Sequence, residues 1–422
     1  MLEGETVLLW GGSVRPVAQA VRRLGGRPIC VDWFGDVDTA ACGPVIECRD
    51  WSGECERVLN GLSAERGCVV LPLGGMENHP DVLARLERFG QWAAAPREAM
   101  GLVRDPMWVA SVLREAGCHS LPVHCGDMRE LPPWEPERWL CKPVRGVAGR
   151  GVRRWAGDAV GGDEYLQAYR DGVAASALFL STADGIERIG VTRQLIGRAY
   201  GAAEFGYAGN VVWSECPAAI VEEATAIARI IANAAGLLGL FGVDGVVGPD
   251  DGGVDRWWVC EVNPRPTAAM ELFERGGREL IAEHIHVTLR RSAATDGDHL
   301  PRGNSHWQSQ WHTTGRSLNV AQPSDRDTSV PVRVSCRSKR IVYAMEGGHA
   351  AGLESELGDA TRSFRPGWIG DVPRDGTRLR AGDPICTVFA EEASVAACEA
   401  RLAELAARVQ TLFVRKEEFA TE

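Results

Sequence analysis

The sequence predicts a mixed α/β and α+β chain. An N-terminal domain on a parallel sheet is followed by a central region that contains an acidic strand hairpin and by a small β-rich C-terminal domain with a terminal helix. Three observations predict it. Near the start, an apolar run over 7–10, the turn Gly11-Gly12-Ser13, a helical pattern over 14–24 and a second apolar run over 28–31 make a strand–helix–strand unit. Such a unit calls for parallel strands. In the middle, two apolar strands over 241–247 and 257–262 are joined by an acidic, Gly-rich turn. From residue 332 onward short strand patterns return, punctuated by Gly370-Asp371-Val372-Pro373 and Arg380-Ala381-Gly382-Asp383-Pro384.

Composition bounds the function. The 422 residues suffice for two or three domains, and 45% apolar with 24% charged residues is ordinary for a globular protein. A formal charge of −11 opposes non-specific nucleic-acid binding, which needs clustered Lys and Arg. No apolar run reaches the length of a membrane span, and the N-terminus lacks the basic and apolar stretches of a signal peptide. The 13 cysteines are scattered without a CxxC pair, which points to reduced thiols in a cytoplasmic protein. The nine histidines include no HExxH, which argues against a zinc site.

In chain order, the N-terminal unit ends its second strand at Asp32, about where a dinucleotide-binding fold keeps a ribose-binding acid. Gly11-Gly12-Ser13-Val14-Arg15-Pro16 is not G-x-G-x-x-G, however, so that reading is weak. A buried strand over 68–73 precedes Gly74-Gly75-Met76-Glu77-Asn78 and a helix over 80–89, closing a domain at about residue 97. A helical pattern over 102–116 is interrupted by Pro106, and Leu131-Pro132-Pro133-Trp134 reads as a connector. A strand over 139–143 ends on Lys142-Pro143 and runs directly into Arg145-Gly146-Val147-Ala148-Gly149-Arg150-Gly151. That loop is rich in free N–H groups and positive charge and suits phosphates, although a hairpin tip has the same composition. Strands over 165–168, 175–181 and 190–196 follow, then a Gly- and aromatic-containing loop over 200–213 and a long helix over 221–238. Beyond the acidic hairpin lie a helix over 278–289, a polar linker over 292–330 in which His299, His306 and His312 read as solvated, and a final amphipathic helix over 393–413.

The acidic hairpin carries the chemistry. Strand alternation puts Glu261 and Asn263 on one face, and pairing through the turn over 249–255 brings Asp244 close to it. Two carboxylates and an amide oxygen are hard ligands that suit Mg²⁺ holding a polyphosphate. Arg265 adds a permanent cation at the edge of that site, its alternative being a surface ion pair with Glu271 or Glu274.

Lys142-Pro143 with its glycine loop, the hinge-like Leu166-Gln167-Ala168-Tyr169, and Asp244 followed by Glu261-Val262-Asn263-Pro264-Arg265 resemble the ATP-grasp superfamily over roughly residues 100–290. The resemblance implies residues 1–97 as the domain that precedes the ATP-grasp fold, 98–291 as the two-lobed ATP-grasp domain with a lid over about 139–180, 292–330 as linker, and 331–422 as the β-rich C-terminal domain with its terminal helix. It implies ATP and Mg²⁺ as cofactors. Asp244, Glu261 and Asn263 would hold the metal, and Lys142 would contact the phosphates. Arg145, Gly146, Gly149 and Gly151 would cover the triphosphate. Gln167, Ala168 and Tyr169 would meet the adenine, the last two through their backbone, while Arg265 and Lys142 would act in catalysis. The implied reaction activates a carboxylate as an acyl phosphate and joins it to an amine. Both substrates are then small molecules, with no nucleic acid or membrane as partner and a homodimer as the assembly allowed for. A carboxylase using bicarbonate, in the manner of biotin carboxylase or purine synthesis, and a catalytically weakened nucleotide sensor are the alternatives.

Two positions depart from the family. Arg104-Asp105-Pro106-Met107 has proline where a second lysine is usual, and Ala174 and Ala175 stand where many members place a ribose-binding glutamate. Gly11-Gly12-Ser13-Val14-Arg15, Arg104-Asp105-Pro106, Thr192-Arg193-Gln194 and Phe205-Gly206-Tyr207 are similar to ATP-grasp proteins associated with tetrahydromethanopterin and methanofuran one-carbon metabolism. That likeness implies glutamate addition in cofactor biosynthesis.

Overall fold

A computed structural model describes residues 2–125, 138–274, 277–295 and 336–415. The connector at 131–134, nearly all of the polar linker, and His299, His306 and His312 lie outside the described residues.

Five short strands, β1 (Thr6–Trp10), β2 (Arg27–Asp32), β3 (Val45–Glu47), β4 (Val69–Pro72) and β5 (Gln91–Trp92), make an all-parallel sheet in the order β3-β2-β1-β4-β5. β1, β2 and β4 are near-continuously apolar because helices cover both faces of the sheet, and Trp10 is fully buried. Strand order reverses between β1 and β4. A crevice therefore opens at their carboxyl ends, where Gly12 N–H donates to Gly74 O at 2.9 Å. Asp32 accepts from the N–H groups of Val14, Phe34 and Gly35 at 2.8, 2.7 and 3.0 Å. Its carboxylate braces the turn and is committed mainly to local backbone.

The central region divides into two sheets. A small one joins β6 (Val123–His124), β7 (Trp139–Pro143), β8 (Arg153–Arg154) and β9 (Glu164–Ala168) in the order β6-β9-β7-β8. A large antiparallel one runs β14-β13-β10-β11-β12-β15-β17-β16 through β10 (Val173–Thr182), β11 (Gly185–Ile196), β12 (Tyr207–Val212), β13 (Gly239–Pro249), β14 (Asp255–Asn263), β15 (Cys336–Tyr343), β16 (Ile369–Gly370) and β17 (Pro384–Glu392). Two expectations are corrected here. Residues 173–180, placed in the lid above, lie inside the large sheet. Residues 207–212, read as loop, form β12, whose Gly209 backbone packs so closely on Lys339 and Arg340 of β15 that a side chain would not fit. Glycine and mixed polarity hide such a strand from pattern reading. Through β12 and β15 the C-terminal strands continue the large sheet.

Pro106 does not sit inside a helix. One helix, Arg97–Arg104, ends, and a second, Pro106–Glu115, begins with Asp105 as its cap, accepting from Met107 N–H at 2.8 Å and Trp108 N–H at 3.3 Å. Proline at the first helical position loses no hydrogen bond. The helix Ala218–Ala235 buries Ile220, Ala224, Ile227 and Ile231 along one stripe and stops at Gly236, whose φ of 68° is the left-handed conformation glycine adopts without strain. All 13 cysteines are free. Among the described residues no helix is long and apolar enough to cross a membrane.

The helix Leu280–Thr295 is tied down through a buried His284. Its Nδ1 accepts from Leu240 N–H at 2.8 Å, and Nε2 lies 3.0 Å from Ala93 O. Burial pushes its pKa down to about 4. The unfolded imidazole binds a proton below its ordinary value near 6.5, whereas the folded one stays neutral until about pH 4. Stability is therefore present above about pH 6.5 and lost as pH falls toward 4, on the order of 3 kcal/mol in total. Urea unfolding at several pH values is expected to show this loss, and His284→Gln is expected to flatten it.

Candidate active site

The hairpin β13–β14 sets the geometry. Asp244 and Glu261 stand directly opposite each other, with an irregularity between Asp244 and Gly245 that re-aims the strand. The Asn263 amide nitrogen donates to Asp244 Oδ2 at 3.0 Å and Glu261 Oε1 at 3.4 Å. The two carboxylates do not titrate alike. Burial and the nearby Glu261 push Asp244 up to about 7, against Ser176, Arg265 and Gln194. Glu261 is also penalised by burial, but Arg104, Lys142, Asn263 and Arg265 outweigh this and hold it below the ordinary range. Neighbouring cations thus keep Glu261 ionised, while burial and that same neighbour disfavour a second charge on Asp244.

That donor set fits Mg²⁺ in its usual mode, in which one or two carboxylates hold the ion and substrate phosphates with water complete it. Among the described residues no group of three His, Cys, Asp or Glu side chains gathers as a metal centre, so Asn263 is the natural third protein group. One detail corrects the sequence reading. The Asn263 oxygen faces Arg265 Nη2 at 3.1 Å, and its nitrogen faces the carboxylates. Rotating the amide end by half a turn exchanges the two atoms.

Lys142 leaves β7 toward the same hairpin. Its Nζ donates to Gln167 Oε1 at 2.9 Å and Cys260 O at 3.4 Å, with the Tyr165 ring 5.7 Å away. Burial disfavours the ammonium, yet Tyr165, Cys260 and Glu261 raise its pKa above the ordinary value, so the charge persists. Gln167 Nε2 also donates to Cys260 O at 3.2 Å. Gln167 therefore braces the lysine. Ala168 N–H donates to Pro122 O at 2.9 Å and Tyr169 N–H to Arg138 O at 2.7 Å. Both residues line the cavity, but neither has a free N–H for an adenine edge, because both amides are consumed by neighbouring backbone. Backbone contact from these two residues to an adenine edge would therefore have to come from their carbonyl groups.

The loop after β7 bends over the cavity. Ala148 takes a positive φ of 54°, and Gly149, at φ 71°, packs on the Phe205 carbonyl where a Cβ would collide. Tyr207 N–H holds Ala148 O at 3.1 Å. The amides of Val147, Ala148 and Gly149 have no acceptor among the described residues, a row of donors suited to an anion. The Gly146 carbonyl is tied to Asn78 Nδ2 at 3.2 Å and Arg104 Nη2 at 3.4 Å, while Gly151 packs beside Pro143. Arg145 shows no contact that would assign it to phosphate.

Two further residues belong to this site and were not legible in the sequence. Arg104 directs Nη1 at Glu261 Oε2, 3.5 Å away, and its side chain is largely buried. It supplies a cation that the proline at 106 cannot. Glu77, almost fully buried, holds Arg265 Nε at 2.9 Å, and its other oxygen accepts from Gly75 N–H at 2.8 Å. Arg265 is therefore gripped by the N-terminal domain. Glu271 is engaged by Arg15 and Lys339, and Glu274 by Arg23, so neither is the alternative partner considered above. An acid after a glycine pair was the available signal for Glu77, but its partner lies 188 residues away.

Asp244, Glu261, Asn263, Lys142, Arg104 and Arg265 line one cavity of about 1130 Å³, which also reaches Gly12, Ser13, Asp36, Lys339 and Asp371. Ligand pockets run roughly 300–1,000 Å³. The space therefore admits a nucleotide and a second substrate.

Residues 107–269 match the family of ATP-grasp domains. Along nearly its whole length the chain is similar in structure to an L-amino acid ligase from Bacillus licheniformis, with a TM-score of 0.64, 13% identity, and 99% of this chain and 100% of that one covered. It is similar to the biotin carboxylase domain of the 2-oxoglutarate carboxylase from Hydrogenobacter thermophilus, solved with MgADP, ADP and bicarbonate, with a TM-score of 0.62, 15% identity and 98% and 91% covered. The N5-carboxyaminoimidazole synthetase from Staphylococcus aureus gives 0.60, 14% identity and 97% and 98% covered. No protein of curated function matches significantly by sequence. At such identities the likeness is one of fold, and the fold is that of the ATP-grasp ligases.

Proposed function

We propose that the protein is an ATP- and Mg²⁺-dependent ligase that phosphorylates a carboxylate and joins the activated acyl group to an amine. The observation that carries this reading is the meeting of Asp244 and Glu261 with Lys142, Arg104 and Arg265 in one cavity. Phosphoryl transfer asks a protein for charge neutralisation and alignment more than for covalent chemistry. When bound between Asp244, Glu261 and Asn263, Mg²⁺ would neutralise phosphate oxygens. Lys142 and Arg104 add fixed positive charge beside it, and the free amides of residues 147–149 accept an anion from above. Arg265, held by Glu77, directs its remaining N–H groups toward the hairpin, where charge develops as the acyl phosphate forms. No nucleophilic side chain is required.

Measuring ADP formation with panels of carboxylates and amines tests this. ADP release that depends on both supports the ligase. Release driven by bicarbonate, the ligand named with the Hydrogenobacter structure, would favour a carboxylase, and ATP binding without turnover would favour a sensor. Glutamate belongs in the panel, because the one-carbon-metabolism resemblance implies it. The motifs behind that resemblance have local structural roles: Thr192 accepts from Asn210 Nδ2 at 2.8 Å, and Arg193 pairs with Glu399 at 3.5 Å.

With two cations at Glu261, phosphate binding is shared. Lys142→Ala and Arg104→Ala are each expected to weaken ATP binding by about 1.5–3 kcal/mol, one charge-assisted hydrogen bond each. Calorimetric titration with ATP measures both, and an unchanged affinity in the arginine variant would remove Arg104 from the site.

A further inference from the structure

Beyond the hairpin, the cavity reaches the carboxyl ends of the parallel strands, where acids gather from two distant parts of the chain. Most of them are satisfied. Asp32 takes three N–H groups, as described above. Asp38 accepts from Asp371 N–H at 2.9 Å and Val372 N–H at 3.1 Å. Asp371, in a left-handed conformation with φ 53°, accepts from Arg15 Nε at 2.7 Å and Arg15 Nη2 at 3.3 Å. Arg15 is fully buried and already divided among Asp371, Asp38 and Glu271, while Lys339 is spent on Glu271 and Ala268 O.

Asp36 is the exception. It is 6% exposed and lines the cavity, yet it has no hydrogen-bond or ion-pair partner for its carboxylate among the described residues. Its charged neighbours are Asp371, Asp38 and Asp32, against Arg15 alone. Burial and the neighbouring acids hold such a carboxyl toward its protonated form, and a cation placed against it is what would let it ionise. The described residues form no cluster fit for a metal ion there. An organic cation with several N–H donors answers both the charge and the unused acceptors.

We propose that Asp36 and Asp371, with the Ser13 hydroxyl 3.4 Å from Asp371 Oδ1, form the subsite for a protonated primary amino group of the amine substrate. The proposal rests on the ligase reading, since it assigns the second of that reaction's two substrates. It places the amine against the N-terminal domain and the nucleotide against β7, β9 and the hairpin, at two ends of one cavity. It also gives a chemical class: the amine carries its positive charge into the site, as an amino acid, an amino acid amide or an alkylamine does and an N-acylated analogue does not.

The test is thermal unfolding of the full chain, without nucleotide, in the presence of the common L-amino acids, their α-amides, 1,4-diaminobutane and the N-acetyl form of each. At least one free amine is expected to raise Tm, its N-acetyl form to leave Tm unchanged, and Asp36→Asn to weaken the response about tenfold or more in concentration. Because the empty carboxylate lacks a partner, Asp36→Asn by itself is expected to keep Tm at or above that of the parent. Equal stabilisation by amine and N-acetyl forms, no response to any amine, or a clear fall in Tm in the variant each overturns the subsite. The Tm shift given by MgATP on the same samples separates this from the ligase reading. If that shift is present while the amine response is missing, the subsite alone fails. If MgATP gives no shift, the ligase reading fails first.

Discussion

Glu261→Gln is expected to reduce ADP formation by about 10³-fold while leaving the fold intact, a loss at or above that for one electrostatic stabiliser in other enzymes. Glu261 faces Asp244 across the hairpin, lies 3.5 Å from Arg104 Nη1 and accepts from Asn263 at 3.4 Å. Of the two carboxylates it is the one held in its ionised form by surrounding cations. Glutamine keeps the shape and removes the charge that a divalent ion and two basic side chains share. Folding should change little, because losing these ion pairs is offset by relief of the repulsion on Asp244. Two measurements check this: ADP formation at saturating substrates, and Tm with and without Mg²⁺. Ordinary turnover by the variant would show that the metal is held elsewhere.

Arg265→Lys is expected to lower kcat by about 10²-fold with ATP affinity little changed, the pattern of an interaction made in the transition state. The guanidinium uses all three nitrogens at once: Nε to Glu77 at 2.9 Å, Nη2 to the Asn263 oxygen at 3.1 Å and Nη1 to Pro266 O at 3.3 Å. An ammonium keeps the charge but cannot span these directions in one plane. Glu77→Gln is expected to give a smaller loss of the same kind, because Glu77 positions the arginine and touches no substrate. Loss of ATP binding with kcat retained in Arg265→Lys would instead make Arg265 a nucleotide clamp.

How much of this was legible follows from the range of each interaction. The hairpin could be read because alternation and a short turn act over neighbouring residues, and the two strands pair with Asp244 opposite Glu261. The lysine-ended strand and the glycine loop were legible for the same reason. The loop at 200–213 was misread because β12 is held by pairing with β11 and β15, not by its own pattern. Nothing local announces that the Ala168 and Tyr169 N–H groups are taken by Pro122 and Arg138, because those acceptors come from other stretches of the chain.

By itself, the sequence determined the strand–helix alternation at the start, the acidic hairpin and the cationic glycine loop, all products of short-range periodicity and backbone freedom. Only the tertiary structure decided what those pieces do together. Arg104 reaches Glu261 because the helix Arg97–Arg104 packs against β14, and Arg265 finds Glu77 because the N-terminal crevice closes on the hairpin. Among the described residues Asp36 stands without a partner because the buried Arg15 beside it is already shared by three other acids. Each of these facts sums charges brought together from distant parts of the chain, and burial decides their strength by removing the water that would otherwise screen them.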